Sequence, residues 1–194
     1  MAKIGSVCVY CGSSNQVDVA HLTAARDFGR TLAEEGVRLV FGGGRVGLMG
    51  AMADGALDAG GRTTGVIPTF LQDLEVGHDG LESMEVVDAM HPRKARMVEL
   101  ADAFCVLPGG LGTLDEAFEV ITWRQLGLHD KPIVLVNLGG FWQPLLDLIA
   151  HQASNGYIRQ PMEKLVIVVD RIADILPALE SAPDSELESA TDKL

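Results

Sequence analysis

A glycine-rich turn beside two carboxylates is the feature of this sequence that points most directly to chemistry. Residues 108–116 read PGGLGTLDE, follow the apolar run 103–107 and precede apolar residues at helical spacing. The turn is therefore expected to connect a buried strand to a helix. Because glycine lets a ligand approach the backbone and a helix N-terminus favours anions, the turn predicts a phosphate-binding site.

Glu116, at the end of this turn, admits two interpretations. Its carboxylate could serve catalysis next to the bound phosphate. Alternatively, Thr113 and Glu116 fit a capping box, in which Thr113 is the N-cap and Glu116 accepts from the Thr113 backbone N–H. The segment alone leaves a catalytic and a structural Glu116 open.

A second glycine cluster, GGGRVG at residues 42–47, also lies between a strand-like and a helix-like segment. It matches the dinucleotide pattern G-x-G-x-x-G, but the next strand, 62–67, does not end in the carboxylate that a ribose would need. The sequence contains no G-x-x-x-x-G-K-[ST] motif for a triphosphate. A mononucleotide is therefore favoured over NAD.

Arg93 and Lys94 form a short cationic run after His91 and Pro92, near a predicted helix start. Cations at a helix N-terminus oppose the helix dipole, which suggests a functional reason for them. Arginine is also well shaped for phosphate or carboxylate. The ordinary interpretation of such a run is a solvated helix face, and the residues alone do not decide between the two.

Strand and helix signals alternate along almost the whole chain. Strands are predicted at 4–10, 37–41, 62–67, 84–87, 103–107, 133–136 and 165–169, and helices at 19–35, 47–59, 92–100, 113–126, 141–153 and 171–180, with a looser stretch at 68–83. This order predicts one α/β domain over residues 1–180, with a doubly wound, mostly parallel sheet and helices on both faces. Residues 181–194 are predicted to form a disordered acidic tail. Both glycine turns fall at the carboxyl edge of the sheet, where such folds bind ligands.

Composition restricts the partners and the compartment. The net charge is −12 and only 15 residues are Lys or Arg, which argues against nucleic acid. The start of the chain has no signal-like segment and no apolar run is long enough for a membrane span, so we expect a cytoplasmic protein without a membrane partner. Cys8 and Cys11 form a C-x-x-C, but it overlaps a strand and lacks a second ligand pair. No metal and no cofactor are therefore expected.

Several motifs in combination resemble one protein family. They are CGSS at 11–14, GGG at 42–44 with GLMG at 47–50, MHPRK at 90–94, PGGLGTLDE at 108–116 and EVITWRQLG at 119–127. Together they resemble the LOG family, the cytokinin riboside 5′-monophosphate phosphoribohydrolases, often labelled lysine decarboxylase-like. The resemblance covers residues 4–180. It implies a Rossmann-like homodimer that hydrolyses the N-glycosidic bond of N6-modified adenosine 5′-monophosphates to free base and D-ribose 5-phosphate.

The resemblance and the glycine turns together assign candidate site residues. Arg93 and Glu116 match the catalytic pair, and a carboxylate suits glycoside cleavage because it can stabilise an oxocarbenium ion or deprotonate water. The candidate substrate-binding residues are Ser13, Gly43, Gly44, Glu75, Arg93, Lys94, Gly109, Gly110, Leu111, Gly112, Thr113, Leu114, Asp115, Glu116 and Thr122. No general acid for the departing base is assigned, and His91 is a weak candidate.

Two functions other than hydrolysis are compatible with a glycine-rich phosphate site. A pyridoxal phosphate decarboxylase needs a Schiff-base lysine, and Lys94 is the only lysine near the predicted site, so this function is disfavoured. A non-catalytic carrier of a nucleotide or molybdenum cofactor would need the glycine turn but not Arg93 with Glu116, so the enzyme is favoured. The large apolar groups around Trp123 and Phe141 are expected either at the dimer interface or in the core.

Overall fold

The computed structural model describes residues 4–75, 77–158 and 160–183, and for residues 73–75 it describes the backbone alone. These residues form a seven-stranded sheet in the order β4-β3-β2-β1-β5-β6-β7, with every neighbouring pair parallel. The strands are β1 (Ser6–Tyr10), β2 (Arg38–Phe41), β3 (Thr63–Pro68), β4 (Ser83–Val87), β5 (Ala103–Val106), β6 (Ile133–Val136) and β7 (Ile167–Val169). The predicted α/β fold with a parallel sheet is confirmed.

Helices connect these strands. They are α1 (Val19–Glu34), α2 (Gly47–Asp58), α3 (Thr69–Glu75), α4 (Met90–Leu100), α5 (Leu111–Gln125), α6 (Gln143–Ser154), α7 (Met162–Leu165) and α8 (Ile175–Glu180). Short 3-10 turns occupy Leu138–Gly140 and Ile172–Asp174. No helix within the described residues is long and apolar enough to cross a membrane.

The sheet separates two apolar layers, because side chains of a strand alternate between its faces. Val7 and Val9 of β1 belong to the layer that contains buried residues of α1, α2 and α8. Cys8 and Tyr10 belong to the opposite layer, with buried residues of α4 and α5. Helices therefore cover both faces of the sheet, as the alternating sequence pattern predicts.

The strand order reverses between β1 and β5, and this reversal positions the site. From β1 the chain adds β2, β3 and β4 toward one edge of the sheet, and α4 then leads back to β5 on the other side of β1. The helices that follow β1 and β5, α1 and α5, consequently pack on opposite faces of the sheet. Such a divergence leaves a crevice at the point where doubly wound folds bind ligands.

Several predicted boundaries differ from the observed ones. The stretch 68–83 contains α3, whose seven residues are too few to give a clear helical periodicity. Leu165 ends the short helix α7 after Pro161, so β7 begins two residues later, at Ile167. The predicted last helix is divided into a 3-10 turn and α8. Residues 184–194 of the predicted tail lie outside the described residues.

Candidate active site

A cavity of about 670 Å³ opens at the carboxyl edge of β1 and β5. Its walls include the loops after these two strands, the starts of α1 and α5, and Arg93 from α4. The loops touch each other, because the Gly12 N–H donates to the Pro108 carbonyl at 3.0 Å. The volume is in the range of small-molecule sites in proteins.

The start of α5 leaves backbone N–H groups available to a ligand. Gly110 is the N-cap residue in an extended conformation, and no side chain caps the helix. Within the described part of the chain, the N–H groups of Leu111, Gly112 and Thr113 have no hydrogen-bond acceptor. A Cβ added to Gly110 or Gly112 would meet no atom within 4 Å. Free N–H groups at the positive end of a helix therefore face open space in the cavity.

The capping-box prediction for Glu116 is wrong. Because Gly110 enters the helix without needing a side-chain cap, α5 begins at Leu111, two residues before the predicted start. Thr113 is then the third residue of the helix and Glu116 the sixth. Thr113 is buried beside Gly109, where an added Cβ would lie 2.1 Å from the Thr113 Oγ1. Glu116 thus belongs to the cavity wall rather than to the helix cap.

Arg93 is buried and fixed by two backbone carbonyls, one in β3 and one directly after β2. Its Nε donates to the Val66 carbonyl at 3.0 Å, and its Nη2 donates to the Gly42 carbonyl at 3.1 Å. A Cβ on Gly42 would lie 2.1 Å from this Nη2, so the absence of a side chain there makes room for the guanidinium. The solvated-face interpretation is therefore wrong for Arg93, which is 5% exposed.

The third nitrogen of Arg93 faces Glu116. Arg93 Nη1 lies 3.7 Å from Glu116 Oε1, and the Glu116 side chain is 11% exposed. The Arg93 cation therefore lies close to the carboxylate, in a wall that is almost closed to solvent. Since two backbone carbonyls hold the guanidinium, Arg93 gives Glu116 a fixed electrostatic partner.

The groups beneath Glu116 are kept protonated. Burial raises the pKa of Cys8 and of Cys11, and the Glu116 carboxylate raises both further. The pKa of Tyr10 is raised by burial first, then by Cys8 and Glu116. The Cys8 and Cys11 thiols and the Tyr10 phenol are therefore neutral, and of these three residues Cys11 lines the cavity.

The second glycine turn is engaged by the protein itself. The Gly47 N–H donates to Asn15 Oδ1 and the Leu48 N–H donates to the Gly12 carbonyl, each at 2.9 Å. The start of α2 thus binds the loop after β1 instead of facing open space. Gly43 and Gly44 are buried outside the cavity lining, so their substrate contact remains a prediction.

Lys94, the neighbour of Arg93 in α4, is buried outside the cavity lining. Its Nζ contacts Asp115 Oδ2 at 3.0 Å and Glu119 Oε1 at 3.2 Å. Burial lowers the pKa of Lys94, but hydrogen bonds to Asp115 and Glu119 outweigh it, so the pKa is raised overall. Lys94 is 6% exposed, so the solvated-face interpretation is wrong for this residue also.

The structure brings together part of the predicted set. One cavity is lined by Ser13, Arg93, Gly109, Gly110, Leu111, Gly112, Thr113 and Glu116. Lys94, Leu114, Asp115 and Thr122 lie outside its lining, and the side chain of Glu75 lies outside the described part of the structure. Nucleotide contacts by these five residues remain predictions.

Sequence reasoning missed the wall opposite α5. Asp18 and His21, at the start of α1, line the cavity, and the His21 ring packs edge-on against Phe141 at 5.5 Å between ring centroids. Leu48, Met49, Leu71 and Met90 add apolar surface. Asp18 is the N-cap of α1 and accepts from the Ala20 N–H at 2.8 Å. An Asp directly before a helical pattern indicates this capping role in the sequence. The His21–Phe141 contact arises only on folding.

No group of three or more His, Cys, Asp or Glu side chains within the described ranges is arranged to hold a metal ion. The three cysteines, Cys8, Cys11 and Cys105, are free and buried.

Trp142 packs in the core at 4% exposure, whereas Leu126 is 49% exposed. The core alternative is therefore confirmed for Trp142.

Comparisons with known proteins show the family to which this chain is similar. A family model described as "Possible lysine decarboxylase" matches residues 49–179. The cytokinin riboside 5′-monophosphate phosphoribohydrolase of Rhodococcoides fascians is 47% identical over 177 residues, which cover 91% of this chain and 89% of the relative. The enzyme of that name, LOG, of Oryza sativa subsp. japonica is 41% identical over 187 residues, which cover 96% and 77%.

Solved structures show the same fold. The molybdenum cofactor carrier protein of Chlamydomonas reinhardtii superposes with a TM-score of 0.68 at 23% identity, covering 91% of this chain and 96% of the carrier. A likeness at this identity concerns the fold alone. With the close curated relatives and the family match, the chain belongs to the LOG family of phosphoribohydrolases, whose family model carries the lysine decarboxylase description.

Proposed function

We propose that this protein hydrolyses the N-glycosidic bond of N6-modified adenosine 5′-monophosphates, releasing the free base and D-ribose 5-phosphate. One observation carries the proposal. The uncapped start of α5 and the buried carboxylate of Glu116 line the same cavity, and Arg93 faces that carboxylate. A single helix therefore presents both an anion site and a charged group suited to glycoside cleavage.

The spacing along α5 fits a ribose 5-phosphate. Glu116 follows Gly112 by four residues, which corresponds to about 6 Å along a helix axis. A 5′-phosphate bound at the N–H groups of Leu111 to Thr113 would therefore place the sugar beside Glu116. A triphosphate would need anion sites beyond this one helix start.

Glu116 would then act on the anomeric carbon. As the C1′–N9 bond breaks, its electron pair leaves with the base and positive charge develops on the ribose, which a carboxylate stabilises. Water attacks C1′ and loses a proton, which Glu116 can accept. The departing purine takes up a proton from solvent, and Glu116 returns its own proton to solvent, so that the free base and ribose 5-phosphate are released. Arg93 orients Glu116, because the Val66 and Gly42 carbonyls accept hydrogen bonds from the guanidinium and fix its position.

The remaining lining suits an apolar substituent on the base. Leu48, Met49, Leu71 and Met90 contribute apolar side chains to the same cavity. Such surface accommodates a purine and a hydrocarbon group on N6 without requiring charged partners. The relatives named above are cytokinin riboside 5′-monophosphate phosphoribohydrolases, which supports this substrate class.

Two other functions are less well supported. A cofactor carrier would require the anion site but neither Glu116 nor Arg93, and the carriers share only the fold with this chain. A Schiff-base decarboxylase would require a lysine that readily becomes neutral. Lys94 instead contacts two carboxylates and has a raised pKa.

The proposal extends to assembly and location. Leu111 and Phe118 of α5 are 86% and 43% exposed, and these apolar groups support a homodimer. Three free cysteines support a reducing compartment such as the cytoplasm. The net charge of −12 supports a small-molecule substrate rather than nucleic acid.

A substrate panel tests the proposed function. Purified protein is incubated with AMP, N6-isopentenyl-AMP, the matching riboside and the matching triphosphate, and free base and ribose 5-phosphate are quantified by chromatography. We expect equal amounts of both products from a monophosphate and much slower cleavage of the riboside and the triphosphate. Equal hydrolysis of the riboside would contradict the phosphate site, and binding of a monophosphate without cleavage would favour a carrier.

A further inference from the structure

A second set of ion pairs joins α4 to α5, directly beside the Arg93–Glu116 pair. Lys94 Nζ lies 3.2 Å and 3.0 Å from the two carboxylate oxygens of Asp115, and 3.2 Å from Glu119 Oε1. The Lys94 side chain is 8% exposed. All of these contacts go to α5, and Lys94 lies outside the cavity lining.

The two partners of Lys94 flank Glu116 along the helix. Asp115 immediately precedes Glu116, and Glu119 lies four residues after Asp115, so both partners are on neighbouring turns of one helix face. The ammonium group therefore spans the part of α5 that carries the proposed catalytic carboxylate. Adjacent residues of α4 thus hold adjacent residues of α5: Arg93 faces Glu116, and Lys94 binds Asp115.

The start of α5 needs such an attachment. No side chain caps it, and Gly110 and Gly112 have more backbone freedom than other residues. A capping side chain would satisfy N–H groups that the proposed phosphate site requires to be free. The start of α5 must therefore be held in place by contacts that do not occupy these N–H groups.

We propose that Lys94 is a positioning residue, whose ion pairs with Asp115 and Glu119 fix the turn of α5 that carries Glu116, so that this carboxylate keeps its geometry. This inference rests on the proposed function. In this role Lys94 acts through α5 and needs no contact with the nucleotide, whereas the sequence predicts such a contact. Contact at two neighbouring points adds to the core packing of Ala117 and Val120 and holds the turn that carries Glu116.

Kinetics of Lys94→Met test this role, with Lys94→Arg as the conservative variant. Arg96→Met is the matched control, because Arg96 lies on the same helix and pairs with Glu85 and Glu99 away from the cavity. We expect Lys94→Met to lower kcat by about 10-fold to 100-fold, since small misplacements of catalytic groups have such effects. KM should stay within about twofold, Lys94→Arg should recover most of the turnover, and Arg96→Met should match the wild type.

A double-mutant comparison shows whether Lys94 acts through Glu116. In a Glu116→Gln background, Lys94→Met should lower the residual rate little further, because the group being positioned is already gone. Additive losses would overturn the positioning role, as would an unchanged kcat or a raised KM with normal kcat in Lys94→Met.

Removing the partners keeps the test independent of one substitution. The double variant Asp115→Asn/Glu119→Gln breaks the same attachment from α5 and should reproduce the loss of kcat, even if Lys94→Met does not fold. Normal turnover in this variant would overturn the inference. Wild-type hydrolysis is measured first, because its absence would overturn the proposed function and this inference together, whereas the outcomes above overturn the inference alone.

Discussion

Replacing Arg93 with methionine should destabilise the fold substantially as well as stop turnover. The guanidinium donates to the Val66 and Gly42 carbonyls, and both bonds are buried. Hydrogen bonds to charged groups contribute about 1.5–3 kcal/mol each, so losing two should lower the free energy of unfolding by roughly 3–6 kcal/mol. For a chain of 194 residues, this corresponds to a fall in Tm of roughly 6–24 °C.

Thermal unfolding monitored by circular dichroism measures this effect. Arg96→Met provides the control, because the Arg96 side chain is 40% exposed and its ion pairs should contribute about 0–1 kcal/mol. Arg93→Lys should fall between the wild type and Arg93→Met, since lysine keeps the charge but not the forked geometry. If Arg93→Met unfolded within about 2 °C of the wild type, a change worth less than roughly 1 kcal/mol, the two buried carbonyl contacts would not hold the site as described.

Three further outcomes follow from the geometry. Gly112→Ala should keep or raise Tm, because its Cβ meets no atom within 4 Å. The added methyl group would lie at the proposed anion site, so KM for the monophosphate should rise. Gly109→Ala should lower Tm, since its Cβ would lie 2.1 Å from Thr113 Oγ1. A lower Tm for Gly112→Ala would contradict the open space above the helix start. Burial raises the pKa of Cys8 and Cys105. At pH 8 these thiols should therefore react slowly with a disulfide reagent in the native protein and quickly only in the unfolded protein. Fast labelling of either thiol in the native protein would refute their protonated, buried state. Light scattering should give twice the 20.7 kDa chain mass, and Phe118→Asp on α5 should shift it toward one chain; a wild-type monomer at micromolar concentration would count against the homodimer.

The sequence predicts the architecture well because the alternation of short apolar runs and amphipathic segments is a local property. The strand β6 occupies the predicted residues, 133–136. The start of α5 was predicted two residues late, because Thr113 and Glu116 have the spacing of a capping box while the extended Gly110 initiates the helix instead. Local patterns thus identify elements more reliably than their ends.

The site was predictable only in part. The glycine turn at 108–112 indicates an anion site because backbone freedom and helix start are both visible in the sequence. Burial of Arg93 depends on two backbone carbonyls, in β3 and directly after β2, that are 27 and 51 residues away in the chain. The Lys94 ion pairs and the His21–Phe141 contact likewise join distant segments. A local charge pattern carries no information on such tertiary partners.

Turnover by a folded Glu116→Gln variant tests the central claim most directly. Glutamine keeps the shape of the side chain, and Arg93 keeps both carbonyl contacts, so Tm should change by less than about 5 °C. The amide can neither accept the water proton nor carry charge toward an oxocarbenium ion, so release of free base from an N6-modified AMP should fall roughly 10²-fold or more. Near-normal release of base by a folded Glu116→Gln protein would contradict the catalytic assignment and with it the mechanism.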